Sequence, residues 1–368
     1  MSKKKVRYGV VGLGHIAQMA VLPAFEHASK NSELTALISD DPEKLRLIAR
    51  KYAVDALFSY DEYDLCLRSG AIDAVYIALP NHLHRDYAVR AARAGIHVLC
   101  EKPMAVTQAE CRSMMAAADK NDIRLMIAYR LHFEESNLGN IELIRAGKIG
   151  EPRLFSSVFT MNVREGDIRL QKRELGGGTL YDIGIYCINA ARYLFGSEPV
   201  EVRAVSATSD DPRFAHSEEM VSAVLRFPGD RLATFTCSFG ATKSGSYEVV
   251  GTKGSLRLEP AYEYAAEITR TVTIGGKLKK KTFAKRDQFA AELLYFSDCV
   301  LRGKEPEPSG KEGLIDVKII EALYRSVRSR RPVRLDPPDK ASRPRMKQEI
   351  QRPPVKKPKL VRTTPPTK

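Results

Sequence analysis

Two short stretches of this chain carry side chains suited to moving protons. Glu101-Lys102-Pro103 ends a short apolar run, Val98-Leu99-Cys100, and sets an ammonium between a carboxylate and a proline. A charged surface turn has the same composition, because proline ends strands. The other reading is a lysine held at the edge of a site. Farther along, Gly176-Gly177-Gly178 opens a stretch that reads as a helix to about Phe195. Asp182, Tyr186 and Asn189 are spaced i, i+4, i+7 there and share one face. Such a face is odd for packing alone, although a core tyrosine bonded to Asp182 gives the same pattern. A third stretch, Pro80-Asn81-His82-Leu83-His84, has two histidines but no third ligand at convincing spacing. No metal is expected, and contact with a cofactor or substrate is.

These residues need elements to position them, and the N-terminal third supplies them. Val6–Val11 is an apolar strand, followed by Gly12-Leu13-Gly14-His15-Ile16-Ala17 and a helix to about Ala28. Leu34 to Ile38, Ala74 to Leu79, Val98 to Cys100 and Leu125 to Ala128 also read as strands. Helices are expected at 42–51, 61–69, 84–94 and 107–120. Alternation with buried-type strands implies a parallel sheet covered on both faces. G-x-G-x-x-A at the first strand–helix junction is a dinucleotide fingerprint. Gly12 permits the turn, Gly14 lets backbone approach a pyrophosphate, and the helix N-terminus favours the phosphates. The strand after this helix ends in Ser39-Asp40-Asp41-Pro42-Glu43-Lys44. Serine at the usual acidic position, with Lys44 on the next turn, favours NADP; Asp40 and Asp41 leave NAD open. Ligands bind outside the carboxyl ends of such strands. Leu79, Pro80, Asn81, His84, Glu101 and Lys102 are therefore expected at the cofactor.

The 368 residues suffice for two domains, and no apolar run approaches membrane length. The basic start lacks a signal peptide's apolar core, so a cytoplasmic protein is expected. Six cysteines without a C-x-x-C pair indicate neither a disulfide framework nor zinc. Net charge is +14. Residues 337–368 contribute +8 of it and hold eight of the twenty prolines. This segment reads as a basic, disordered tail with at most weak nucleic-acid contacts.

The pieces GLGHIA, ALPNHLH, GIHVLCEKPMA, MIAYRLHFE and GGGTLYDIGIYCIN, in that order, resemble the Gfo/Idh/MocA oxidoreductase family, and its glucose–fructose oxidoreductase type in particular. The resemblance implies an α/β protein: a Rossmann domain at 1–128 and an α+β domain at 129–336 with an open, mostly antiparallel sheet. The β-rich runs 153–163, 220–227, 232–239, 246–250 and 255–258 agree. It further implies a homodimer or homotetramer through that sheet, and a sugar substrate.

By the same resemblance Lys102 is the catalytic-site lysine. Tyr186 stands where many members carry histidine, and Asp182 matches the acidic residue one turn earlier. A free tyrosine, with pKa near ~10, is a poor base until a cation stabilises its phenolate. Tyr186 is thus expected as acid/base, tuned by Lys102, with Asp182 orienting the sugar or the lysine. Arg130 and His132 are expected at substrate, Arg130 also at nicotinamide. Arg169 and Lys172 are weaker candidates, better read as surface charge. Rival readings are a 1,5-anhydrofructose-type reductase, a dihydrodiol dehydrogenase, or a catalytically idle NADP-binding regulator.

Overall fold

The computed structural model describes residues 4–336 and 343–367. Six strands build the first sheet: β1 (Val6–Val11), β2 (Ser32–Ile38), β3 (Ala56–Phe58), β4 (Ala74–Ile77), β5 (His97–Glu101) and β6 (Leu125–Ala128). All pair in parallel, in the order β3-β2-β1-β4-β5-β6. That is the doubly wound dinucleotide-binding order. Val11 lies beside Ile38 and Ile77, and Ile77 beside Cys100. The loops after β1, β2, β4 and β5 therefore leave from one edge. The connecting helices are α1 (Leu22–Ala28), α2 (Pro42–Tyr52), α3 (Tyr63–Arg68), α4 (His84–Arg93) and α5 (Gln108–Lys120). Asp41 caps α2, and Thr107 with Glu110 forms a capping box on α5. The three-residue edge strand β3 is absent from the sequence pattern, because its length gives no period to read.

The chain continues through α6 (Glu135–Arg145), β7 (Pro152–Thr160), α7 (Ile185–Phe195), β8 (Glu201–Ala207), β9 (Met220–Phe227), β10 (Arg231–Ser238), β11 (Ser244–Gly251), β12 (Gly254–Glu259), β13 (Ile268–Ile274) and β14 (Lys277–Phe283). With β15 (Val333–Arg334) these strands form one nine-stranded sheet, ordered β14-β13-β12-β11-β7-β10-β9-β8-β15. β7 and β10 run parallel, and the other recorded neighbours antiparallel. β9 alternates inward Val221, Ala223, Leu225 and Phe227 with outward residues, so one face is buried. β14, missed in the sequence because four of its seven residues are lysines, is an edge strand blunted by charge.

The contiguous split at residue 128 is corrected. One compact unit comprises 4–133, 286–314 and 350–365; the other comprises 134–285, 315–336, 343–349 and 366–367. The return is made by α8 (Gln288–Arg302), whose apolar face covers the first sheet. There Ser297 Oγ meets the Tyr8 hydroxyl at 2.7 Å and Ser32 Oγ at 2.8 Å. The following α9 (Gly310–Ser329) begins in the first unit and continues in the second.

The expectation of a disordered tail is also corrected for its described part. Within the first unit, Arg352 O accepts from Asp287 N at 3.1 Å, and Val361 N donates to Gln18 Oε1 at 2.7 Å. Within the second, Thr367 bridges to Val163. Proline holds such a segment extended in advance, so ordering it costs less entropy than composition suggests. Residues 337–342 and 368 lie outside the described residues. All six cysteines are free and buried. Among the described residues no helix is long and apolar enough to cross a membrane.

Candidate active site

The first unit builds a phosphate cradle from the residues after β1. Gly12 has φ +92°, and a Cβ on it would fall 2.6 Å from Ala78 O, so glycine is required there. A Cβ on Gly14 would meet nothing within 4 Å: the loop's outer side faces open space. A helix opens at His15, passes through a π-helical stretch at Ala17–Val21 and continues into α1. Its N-terminus directs backbone N–H groups toward that space. Leu13 is buried, and Gln18 Nε2 holds its carbonyl at 2.9 Å. Open room, glycine backbone and a helix N-terminus fit a dinucleotide pyrophosphate.

The same edge carries Lys102. The Lys102–Pro103 peptide bond is cis. Beneath the turn, His84 is fully buried, with Nδ1 2.9 Å from Pro103 O and Nε2 2.9 Å from Leu79 O. Burial lowers the His84 pKa, against the pull of these two carbonyls. The expected cofactor contact through His84 is therefore corrected: its ring braces the loop after β4 against the Lys102 turn. Among the described residues no His/Cys/Asp/Glu group is arranged to hold a metal.

Glu101 is buried and accepts from the Tyr76 hydroxyl at 2.8 Å. Burial raises its pKa, while Lys102, Tyr76 and Arg130 oppose the rise. Arg130, also buried, donates through Nη1 to Gln288 Oε1. On α8, Glu292 is fully buried, and neither carboxyl oxygen has a hydrogen-bond partner among the described residues. Burial, and then Glu101, raise its pKa well above 4.5. The folded state thus holds a proton that the unfolded state releases above about 4.5, so stability falls as pH rises through that window. Glu292→Gln is expected to be more stable than the parent at pH 8, with the gain shrinking toward pH 4.5. Thermal melts across pH 4.5–8 read this directly.

The second unit presents the other candidate residues. Leu180–Gly184 is π-helical and runs into α7. Gly178, at φ +107°, holds a backbone conformation that side chains rarely adopt, and a Cβ there would also press on the Tyr324 hydroxyl at 2.6 Å. Asp182 and Tyr186 are mostly buried but keep some exposure. Tyr186 stacks edge-on against Phe159 at 5.6 Å and lies 5.8 Å from the Tyr262 ring. Arg169 Nε donates to Asp182 Oδ2 at 2.7 Å, and its Nη1 to Asp167 Oδ1 at 3.1 Å. Burial disfavours the guanidinium charge, but Asp182 and Asp167 outweigh it and raise the Arg169 pKa. Arg169 is thus a partner of Asp182 rather than surface charge; no spacing rule links residues thirteen apart across an irregular loop. The extra residue of a π-turn breaks the expected shared face. Asn189 instead points inward, donating to Asp316 Oδ2 at 2.7 Å. It joins a buried cluster in which Arg192 meets Glu198 at 2.5 Å and Asp316 at 2.6 Å.

The family model described as the oxidoreductase family with NAD-binding Rossmann fold (GFO_IDH_MocA) matches residues 6–129, and the GFO/IDH/MocA C-terminal domain matches 141–257. The chain belongs to the Gfo/Idh/MocA oxidoreductase family. A D-xylose 1-dehydrogenase [NADP(+)] of Haloarcula marismortui is 34% identical over 337 residues, covering 90% of this chain and 93% of that protein. The structure of an aldose-aldose oxidoreductase from Caulobacter crescentus, complexed with glycerol, superposes with TM-score 0.86 at 38% identity, over 90% of this chain and all of that one. A 3-ketoreductase from Actinomadura kijaniata, solved with NADP and TDP-benzene, gives TM-score 0.80 at 28% identity, over 88% and 98% of the two chains.

In this Gfo/Idh/MocA member, Gly12, Leu13, Gly14, His15, Ile16, Leu79, Pro80, Asn81, Glu101 and Lys102 all lie at or just beyond the carboxyl ends of β1, β4 and β5, along one sheet edge. Ser39 is buried, its N–H on Phe58 O at 3.0 Å and its Oγ 3.4 Å from Asp41 N. Lys44 Nζ lies 3.9 Å from Asp41 Oδ2. His132 departs from expectation. It is 1% exposed, stacks on Tyr129, and sets Nδ1 3.9 Å from Glu307 Oε1, so it packs the interior rather than meeting substrate.

Proposed function

We propose that this chain is an NADP-dependent oxidoreductase that transfers a hydride between the nicotinamide and a sugar, an aldose or keto-sugar. One observation carries the reading: the glycine-loop cradle and Lys102 leave the same edge of one parallel sheet, two strands apart. Its similarity to an NADP-dependent D-xylose 1-dehydrogenase and to an aldose-aldose oxidoreductase supports it. The bound nicotinamide supplies the hydride acceptor or donor. Tyr186 moves the proton at the reacting oxygen, Lys102 binds that oxygen, and Asp182, fixed by Arg169, orients the sugar. An idle regulator would have no need of Lys102, Asp182 and Tyr186 together. The test is absorbance at 340 nm with NADP and NAD across aldoses, keto-sugars and dihydrodiols. No turnover of any of them would refute the reading.

Within this reading the protein is of the glucose–fructose oxidoreductase type, cytoplasmic, and a homo-oligomer through the second sheet. Leu154, 51% exposed, lies between Leu232 and Val250 in register, and Val158, Val205 and Val224 extend the same apolar face. Monomers rarely leave so many large apolar groups on one face. Leu154→Arg with Leu232→Arg is expected to shift the mass measured by light scattering from an oligomer to a monomer.

A further inference from the structure

The basic C-terminal segment has a place in the nucleotide site, and composition gave no sign of it. Val361 binds the side chain of Gln18 twice: its N–H donates to Oε1 at 2.7 Å, and its carbonyl accepts from Nε2 at 2.9 Å. The same Nε2 holds Leu13 O, within the glycine loop. Nearby, Lys51 Nζ reaches Lys359 O at 3.4 Å. Arg362 then takes a left-handed backbone, φ +47°, an uncommon state for a residue with a side chain. That turn brings its guanidinium to the end of β2: Nε donates to Asp41 Oδ2 at 2.9 Å and Nη1 to Glu43 Oε2 at 2.7 Å. Nη2 makes no hydrogen bond among the described residues. Arg362 is about half exposed, so its outer side remains open to a ligand.

The end of β2 is where a Rossmann unit reads the adenosine ribose. Here that loop carries Asp40, Asp41 and Glu43, three carboxylates that would repel a phosphate. Arg362 neutralises two of them and keeps donors in the fork geometry that suits phosphate oxygens. We propose that Arg362, delivered by the C-terminal segment, recognises the 2′-phosphate of NADP and sets the preference for NADP over NAD. The inference rests on the proposed cofactor. It adds a residue that lies 321 positions from Asp41 in sequence.

The test is direct binding, by calorimetry or nucleotide fluorescence quenching, of NADP and of NAD to the full chain and to Arg362→Ala and Arg362→Lys. Losing a charged hydrogen-bonding partner is expected to weaken NADP by ~10- to 100-fold and leave NAD within about twofold. Lysine, which keeps charge without the fork, should fall between the two. The NADP loss should shrink with added salt. Equal weakening of both nucleotides would mean that Arg362 only pins the segment, and would overturn the proposal. So would unchanged binding of both. Failure of the parent chain to bind either nucleotide would instead refute the cofactor reading itself. Matching thermal midpoints of parent and variants separate recognition from folding.

Discussion

Tyr186→Phe is expected to slow hydride transfer by about 10²-fold or more, the scale of a lost general acid–base group. Phenylalanine keeps the ring that packs on Phe159 and beside Tyr262, so the variant removes a hydroxyl and little else. Lys102→Ala is expected to cost a similar factor, because the reacting oxygen loses the cation that offsets its developing charge. Both losses should appear in single-turnover rates of NADPH formation, with NADP affinity retained. A lost positioning contact alone would raise KM and spare kcat. Near-parent turnover in both variants would remove these residues from the chemistry and leave the idle-regulator reading.

Arg192→Ala is expected to destabilise the second unit by about 3–5 kcal/mol, the scale for breaking a buried ion pair. Arg192 and Asp316 are fully buried, and Glu198 is 6% exposed. Burial alone would raise the Glu198 pKa; Arg192 and Arg343 reverse this and hold it below the ordinary range. Alanine would leave two carboxylates without their main cation. Adding Glu198→Gln and Asp316→Asn to an Arg192→Leu variant should recover much of the loss, because the charges then disappear together. Denaturant melts of the three proteins decide it. A loss under about 1 kcal/mol for Arg192→Ala would refute the account.

What the sequence revealed was local. The glycine loop and the Lys102 turn each sit within a few residues of a strand end, and a parallel sheet follows from alternating elements. Arg169, Arg362 and the true role of His84 depend on partners brought together by folding. His84 reads as a cofactor contact because it follows a strand at the ligand-binding edge; two carbonyls from different loops hold its ring instead. The tail looked disordered because it lacks large apolar residues, yet a few hydrogen bonds and ion pairs at distant positions hold it. α-Helical spacing puts Asn189 on the face of Asp182 and Tyr186, but the π-helical turn before it invalidates that spacing.

The return of residues 286–314 to the first sheet has a bearing on synthesis. Tyr8 finds its hydroxyl partner 289 positions later. A ribosome delivers the nucleotide-binding strands first and their covering helix only after the whole of 134–285. The opening third of the polypeptide must therefore wait, with one flank of its sheet uncovered, for most of the chain to emerge. Chaperone dependence in this protein should accordingly centre on the earliest residues made, and a fragment ending at 133 should be recovered as an aggregate rather than as a nucleotide-binding domain.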